Sequence, residues 1–149
     1  MEIAIAARTL LDHKGRDLWT TAPDATVYDA IDIMTSRNIG ALPVLEDERL
    51  GGIISERDYM CKVMLKGKSS RDTAVREIMT REVVTVGPDR SVSECMRIVT
   101  EHRIRHLPVV DGEELVGIVS IGDLVKWIIA TQRMTIEQLE RYIVGGYSG

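Results

Sequence analysis

The chain has 149 residues, of which 44% are hydrophobic and 28% charged, and its formal net charge at pH 7 is −4. This length suggests about one domain, and the composition is typical of a folded globular protein rather than a disordered chain. The small acidic excess, with both signs interspersed, argues against a dedicated nucleic-acid binder. No apolar run approaches the ~20 residues of a membrane span.

The N-terminal sequence and the two cysteines indicate the cellular compartment in which the protein is expected. The first residues lack a basic region followed by a long apolar segment, so they do not resemble a secretory signal. The two cysteines, Cys61 and Cys95, are too few for a disulfide framework and stand in apolar helical patterns. We therefore expect a cytoplasmic protein.

The chain contains an internal duplication. Shifting the sequence by 65 residues aligns 20–64 on 85–129 without a gap, and 16 of the 45 pairs are identical. Self-similarity of this kind is the sequence signature of a repeated structural unit. The fold is therefore expected to consist of two copies of one unit.

The first copy predicts five elements in chain order. A short strand over 18–20 precedes a helix that starts at Thr26, where a hydroxyl N-cap is followed three positions later by an acid. Two apolar runs over 42–45 and 50–54, separated by a polar turn, are typical of a β-hairpin. A second helix starts at Ser55. The unit is therefore β-α-β-β-α.

The second copy predicts the same order. Its short strand lies over 83–86, its first helix starts at Ser91, and its second helix starts at Ser120. A further helix is expected over 134–144, followed by a loose tail over 145–149.

The predicted fold class is α+β. A unit of about 60 residues buries too little surface to be stable alone. We therefore expect the two β-α-β-β-α repeats to pack through their sheets with pseudo-two-fold symmetry. The expected boundaries are 7–66 for repeat 1, 67–75 for a linker, 76–131 for repeat 2 and 132–149 for the C-terminal helix and tail.

Two short motifs recur in both copies. Leu-Pro-Val begins the hairpin at Leu42 and Leu107, and Gly-Ile-Ile/Val-Ser-x-x-Asp ends at Asp58 and Asp123. The duplicated pattern resembles a stand-alone tandem pair of cystathionine-β-synthase (CBS) domains, a Bateman module. The resemblance covers about residues 7–131.

The resemblance implies ligand sites in two clefts between the paired sheets, where adenosine compounds bind in that family. The aspartate of each Ser-x-x-Asp motif would hold the ribose hydroxyls, and residues before Leu-Pro would line the adenine and phosphate region. Carried over, the candidate ligand-binding residues are Gly40, Ala41, Pro43, Ser55, Arg57, Asp58, Arg105, His106, Pro108, Ser120 and Asp123.

These residue types suit such a ligand on chemical grounds. An ionised aspartate can accept hydrogen bonds from two vicinal hydroxyls, and a guanidinium such as Arg57 or Arg105 matches phosphate oxygens. Small residues such as Gly40 let a flat purine approach the backbone. Because the basic residues differ between the copies, we expect one cleft, around Asp58 and Arg57, to bind phosphate more strongly.

Simpler interpretations compete with these. Ser-x-x-Asp at a helix start is also an ordinary capping arrangement. His102 and His106 have the spacing of a helical metal site, but the pattern changes to strand near Arg105, and no metal site is expected. No base and nucleophile pair stands at a spacing that suggests catalysis, and we expect neither an enzyme nor a catalytic cofactor.

The sequence therefore predicts a regulatory module that senses adenine nucleotides, AMP in the first place, with ADP, ATP or NAD as alternatives. Surplus apolar residues on the second helices predict a homodimer, and an unidentified protein partner would receive the signal. Three alternatives stay open. The same cleft could take NAD or S-adenosylmethionine, the chain could be a ligand-free dimerisation or docking module, or it could be an enzyme that acts on a nucleotide.

Overall fold

The helices and strands of the computed structural model follow the duplicated order that the sequence predicts. The structure describes residues 4–15 and 17–148, and it gives the side chains of all of these except 139 and 142–148. The first half contains α1 (Ala7–Lys14), α2 (Val27–Arg37), β1 (Ala41–Glu46), β2 (Arg49–Ser55), α3 (Glu56–Tyr59) and a π-helix (Met60–Met64). The second half contains α4 (Val75–Ile78), α5 (Val92–His102), β3 (His106–Asp111), β4 (Glu114–Ser120) and α6 (Ile121–Ser148).

The first helix of each repeat starts at the predicted N-cap. Thr26 Oγ1 accepts a hydrogen bond from the Asp29 N–H at 3.1 Å, and Ser91 Oγ accepts one from the Glu94 N–H at 3.1 Å. Each cap satisfies an N–H that has no acceptor inside the helix. The caps therefore fix where α2 and α5 begin.

The two predicted hairpins are confirmed. β1 pairs with β2 and β3 pairs with β4, in both cases antiparallel. Leu42 stands opposite Ile54, and Leu107 stands opposite Val119, and all four side chains are fully buried. The hairpins contact each other through β2 and β4. The α+β fold with two small antiparallel sheets is therefore as expected.

The predicted short strands over 18–20 and 83–86 are wrong as regular strands. Among the residues that the structure describes, the first repeat forms a single parallel bridge here, between Thr21 and Val44. The next bridge in the same register would need the residue two positions after Thr21. This residue is Pro23, which has no N–H to extend the ladder. The second repeat has the equivalent single bridge and the equivalent proline.

The predicted separate helix over 134–144 is also wrong, because α6 runs without a break from Ile121 to Ser148. No proline interrupts this segment, and Thr131 Oγ1 donates a hydrogen bond to the Trp127 carbonyl inside the helix at 3.0 Å. The predicted loose tail falls within this helix up to Ser148, and Gly149 lies outside the described residues.

Each hydrophobic core includes residues of a helix from a distant part of the chain. The core of the first repeat includes three residues at α4, namely Val75, Ile78 and Met79. The core of the second repeat includes three residues of α1, namely Ala7, Leu10 and Leu11. Residues expected in one repeat therefore pack in the core of the other, across the expected boundaries of 7–66 and 76–131. This packing connects the two repeats. Among the described residues, no helix is long and apolar enough to cross a membrane.

Candidate functional site

Ser55 and Asp58 form a closed hydrogen-bonded loop at the start of α3. Asp58 Oδ2 accepts from the Ser55 N–H at 2.9 Å and from the Ser55 hydroxyl at 3.0 Å. The Asp58 N–H donates back to Ser55 Oγ at 3.2 Å. This reciprocal capping box fixes both the helix start and the orientation of the Asp58 carboxylate.

Lys62 completes the environment of this carboxylate. Its Nζ lies 3.0 Å from Asp58 Oδ1, one helical turn away, and donates to the Ile78 carbonyl at 2.8 Å. The Asp58 side chain is 14% exposed, so the ion pair is partly shielded from water. Lys62 thereby links Asp58 to the C-terminal end of α4.

A cavity of about 540 Å³ opens beside this carboxylate. Its lining includes six of the eleven candidate residues from the sequence, namely Gly40, Ser55, Arg57, Asp58, Arg105 and His106. The two repeats meet here. A Cβ on Gly40, from the first repeat, would lie only 3.1 Å from His106 Nε2, from the second.

The backbone explains why Gly40 lies beside the helix start. The Glu56 N–H donates to the Gly40 carbonyl at 3.0 Å, and the Ile121 N–H donates to the Arg105 carbonyl at 2.8 Å in the second repeat. Each bond satisfies one of the free N–H groups of a helix N-terminus. The residue before each Leu-Pro pair is thereby held next to its Ser-x-x-Asp motif.

The remaining candidates lie elsewhere. Ala41, Pro43 and Pro108 are buried and do not line this cavity, and neither do Ser120 and Asp123. Other lining residues were not predicted as ligand-binding from the sequence, among them Thr80, Glu82, Val83, Val84 and Arg103. The segment 83–86 was expected to be a regular strand, so nothing in the pattern indicated that it forms a cavity wall.

The cavity is rich in guanidinium groups. Arg57, Arg103 and Arg105 line it, and none of the three has an ion-pair partner within 4.0 Å among the described residues. Burial lowers the pKa of His106, and the nearby cations Lys14 and Arg105 lower it further against the opposite effect of Asp123. The imidazole therefore favours its neutral form at pH 7. His102 ends α5 and His106 begins β3, so the two do not share a helix face.

The second motif has the same core of hydrogen bonds but a different lysine. Asp123 Oδ2 accepts from the Ser120 N–H at 2.9 Å, and the Asp123 N–H donates to Ser120 Oγ at 3.1 Å. Lys14, at the end of α1, lies with Nζ 2.6 Å from Asp123 Oδ2 and donates to the Ile118 carbonyl at 3.0 Å. The lysine comes from an element 109 positions away.

The charge state of Asp123 follows from these contacts. Burial raises the pKa of its carboxyl, but the hydrogen bonds from Lys14 and Ser120 and the charge of Lys14 outweigh that effect. The net pKa of Asp123 lies below its ordinary value. The carboxylate is thus ionised at neutral pH and paired with the ammonium of Lys14.

Comparison with known proteins shows a family. The family model of the CBS domain matches the chain twice, over residues 12–64 and 75–130. The mitochondrial CBS domain-containing protein CBSX3 of Arabidopsis thaliana is 45% identical over an alignment of 138 residues, and the match covers 89% of this chain. The chain spans 66% of the length of that relative.

Solved structures show the same fold. A protein with CBS domains from Burkholderia ambifaria MC40-6 is 47% identical, with a TM-score of 0.81 over 86% of this chain and 96% of that one. The CBS domain pair of protein MJ0100 is 26% identical, with a TM-score of 0.77 over 86% and 98% of the two chains. That pair was solved in complex with 5′-methylthioadenosine and S-adenosyl-L-methionine.

Proposed function

This chain belongs to the CBS domain family, and from that premise we propose that it senses adenine nucleotides in the cavity beside Asp58. A CBS domain pair is a regulatory module, and the proposal concerns the ligand that it responds to. The observation that carries the proposal is the combination of a fixed carboxylate with three guanidiniums that lack ion-pair partners around one cavity.

Asp58 suits the ribose of such a ligand. A carboxylate offers about four acceptor positions, and Ser55 and Lys62 supply three donors to Asp58. The Ser55 hydroxyl proton can turn away from the carboxylate, while the hydroxyl oxygen continues to accept a hydrogen bond from the Asp58 N–H. A vicinal diol then has two positions on an already oriented carboxylate, at about 1.5–3 kcal/mol for each hydrogen bond to a charged group.

The arginines suit the phosphates. Arg57 follows the Ser55 cap on the same helix, while Arg103 and Arg105 come from the second repeat. Guanidinium groups bind phosphate oxygens through pairs of parallel N–H donors. A nucleotide phosphate would therefore draw basic groups of both repeats toward one point, and this changes how the repeats pack.

The rest of the cavity suits a purine. Ile53, Val83 and Val84 give it apolar surface, and the His106 ring, which packs against Gly40, adds a flat face. Its volume of about 540 Å³ falls in the range typical of small-molecule sites. The adenosine-containing ligands of the MJ0100 pair, which has a similar fold, support the choice of an adenosine compound.

The alternatives differ in the group attached to adenosine. S-adenosylmethionine has no phosphate to bind the three arginines, whereas NAD carries a diphosphate that they can bind. A ligand-free docking module predicts no response to any of these compounds. An enzyme acting on a nucleotide would show turnover, and we propose none.

Thermal unfolding tests the proposal. The purified chain is unfolded with AMP, ADP, ATP, NAD or S-adenosylmethionine, each at a hundredfold excess over its Kd. Such an excess adds roughly 2.7 kcal/mol, and for this size the midpoint rises by about 5–11 °C. Asp58→Asn should abolish the rise. Asp123→Asn is the matched control, because it alters the same cap in the other repeat. A midpoint that no nucleotide raises would overturn the proposal.

We further propose that the chain acts as a homodimer. Met60, Met64 and Leu65 are 51%, 60% and 80% exposed, and Ile129 on α6 is 45% exposed. Trp127 and Ile128, also on α6, pack partly against the second core. Light scattering at micromolar concentration should give twice the chain mass of 16.7 kDa. A monomer would contradict it.

We also propose a protein partner and a cellular compartment. A module that changes its packing with nucleotide needs a partner that distinguishes the two states. We propose a cytoplasmic location, where free thiols such as Cys61 and Cys95 stay reduced, while the Arabidopsis relative is described as mitochondrial. Fractionation of cells that express the tagged chain separates the two compartments.

A further inference from the structure

The C-cap residue of the first helix in each repeat adopts the left-handed backbone conformation, but the two repeats place different residues there. Asn38 follows α2 with φ 55° and ψ 48°, and Arg103 follows α5 with φ 55° and ψ 43°. The two positions correspond under the shift of 65 residues. Asparagine is enriched in this conformation, whereas a long side chain adopts it at a cost in free energy. The second repeat therefore carries an unfavourable residue where the first carries a favourable one.

The cap itself does not require an arginine. The Arg103 N–H donates to the Thr100 carbonyl at 3.3 Å, and the Asn38 N–H makes the same bond to the Thr35 carbonyl at 3.4 Å. Both bonds come from the backbone and are independent of the side chain. The Arg103 side chain is exposed and has no ion-pair partner within 4.0 Å in the part of the chain that the structure describes.

The place of Arg103 in the cavity beside Asp58 suggests a reason for the arginine. Arg57 and Arg105 line the same cavity. The carboxylates of Glu56 and Glu82 also line it, and neither forms an ion pair within 4.0 Å with a residue that the structure describes. Three guanidiniums at one cavity attract an anion, and each can bind phosphate oxygens through paired N–H donors.

We propose that Arg103 binds the nucleotide phosphate from a backbone conformation that lowers the stability of the fold, so that affinity and stability oppose each other at this residue. This inference rests on the proposed function of the Asp58 cavity. Unfavourable backbone conformations cluster at functional sites, where the surrounding structure maintains them. Arg57 differs in this respect, because it lies within the right-handed helix α3.

Thermal unfolding without ligand measures the effect on stability. Arg103→Asn should raise the midpoint by about 2–4 °C, because asparagine suits the left-handed conformation. Arg103→Gln removes the charge but keeps a long side chain, so its midpoint should stay near that of the wild type. Asn38→Gln is the matched control in the other repeat, and it should lower the midpoint by a similar amount.

Isothermal titration with AMP and with adenosine measures the effect on binding. Arg103→Asn and Arg103→Gln should each weaken AMP binding by about tenfold or more, which corresponds to the loss of one hydrogen bond between charged groups. Both variants should bind adenosine as the wild type does, because adenosine has no phosphate. Arg97→Gln removes the same charge from an exposed position on α5 that does not line the cavity, and it should leave AMP binding unchanged.

Several results would overturn the inference and leave ligand binding in the cavity intact. One is equal AMP affinity of the wild type and a folded Arg103→Gln variant. Another is an Arg103→Asn midpoint that is not raised, and a third is a wild type that binds adenosine as tightly as AMP.

A structural role of the charge at the end of α5 is distinguished by the same measurements. A cation near a helix C-terminus interacts favourably with the helix dipole. If that interaction explained Arg103, Arg103→Gln would lower the midpoint and leave AMP affinity unchanged, which would overturn the inference. A wild type that binds neither AMP nor adenosine would overturn the inference and the proposed function together. Circular dichroism confirms that each variant is folded before titration.

Discussion

Leu11 packs directly on the bare backbone of Gly117, 106 positions further along the chain. A Cβ built on Gly117 would lie 2.7 Å from Leu11 Cδ2, closer than side chains approach each other. The first repeat has a counterpart, where a Cβ on Gly52 would lie 2.9 Å from both Met79 Sδ and the Thr80 carbonyl oxygen. The two glycines of the repeated Gly-Ile motif therefore allow close packing on each hairpin. A residue of α1 packs on Gly117, and the two residues that follow α4 pack on Gly52.

Both glycines should resist substitution by alanine. Gly52→Ala and Gly117→Ala should each lower the free energy of unfolding by about 1–3 kcal/mol, because overpacking a core forces shifts of its neighbours. The larger loss is expected at Gly52, where a backbone carbonyl is one of the obstacles. Denaturant unfolding measures both. Gly87→Ala is the control, since nothing lies within 4 Å of its Cβ position. Equal stability of all three variants would contradict the packing.

His106 should make stability depend on pH in the mildly acidic range. Its folded-state pKa is lowered from an ordinary value of 6.5 by burial and by the charge of Lys14. The stabilisation is therefore fully present above pH 6.5 and is lost as pH falls through the folded-state pKa. The free energy of unfolding of the wild type should decrease from pH 7.5 to 5.5, and His106→Gln should reduce that decrease.

His102→Gln is the matched control for this prediction, because His102 is exposed at the end of α5. It should leave the pH dependence unchanged. An NMR titration of the His106 ring with a midpoint at or above 6.5 would contradict the buried environment.

The two cysteines should differ sharply in reactivity. The Cys95 side chain is fully buried, and burial raises its pKa to about 11, so little reactive thiolate forms. Cys61 is exposed and lines the cavity beside Asp58. A disulfide reagent such as DTNB should therefore label one thiol per native chain and both in denaturant.

Cys61→Ser should abolish the labelling of the native chain. Saturating AMP should slow the reaction of Cys61, since a bound nucleotide shields the cavity. Rapid labelling of both thiols in the native wild type would show that the core around Cys95 is open.

Local features of the fold could be predicted from the sequence. Thr26 and Ser91 cap their helices as expected, because a cap depends only on residues three positions apart. The hairpins form because apolar runs and a polar turn are adjacent in the chain. The packing of α1 in the second core and of α4 in the first could not be predicted. A contact between residues as distant as Leu11 and Gly117 produces no periodic pattern in the sequence.

The same distinction holds for the candidate site. Lys62 could have been found, because it stands four residues after Asp58 on a predicted helix, where opposite charges meet. Lys14 could not, because its contact with Asp123 depends on how α1 packs. Arg57 and Arg105 were both predicted as ligand-binding residues, and the two line one cavity, at which Gly40 and His106 approach each other closely.

The role of Asp58 is tested most directly by its recognition of the ribose diol. Titrations compare AMP with 2′-deoxy-AMP, each against the wild-type chain and against Asp58→Asn. The wild type should bind AMP more tightly than 2′-deoxy-AMP by about 10- to 150-fold, which corresponds to one hydrogen bond to a charged group at roughly 1.5–3 kcal/mol. Asp58→Asn should bind both compounds weakly and with nearly equal affinity. A wild type that does not distinguish them, or an Asp58→Asn variant that distinguishes them equally well, would contradict this role of Asp58.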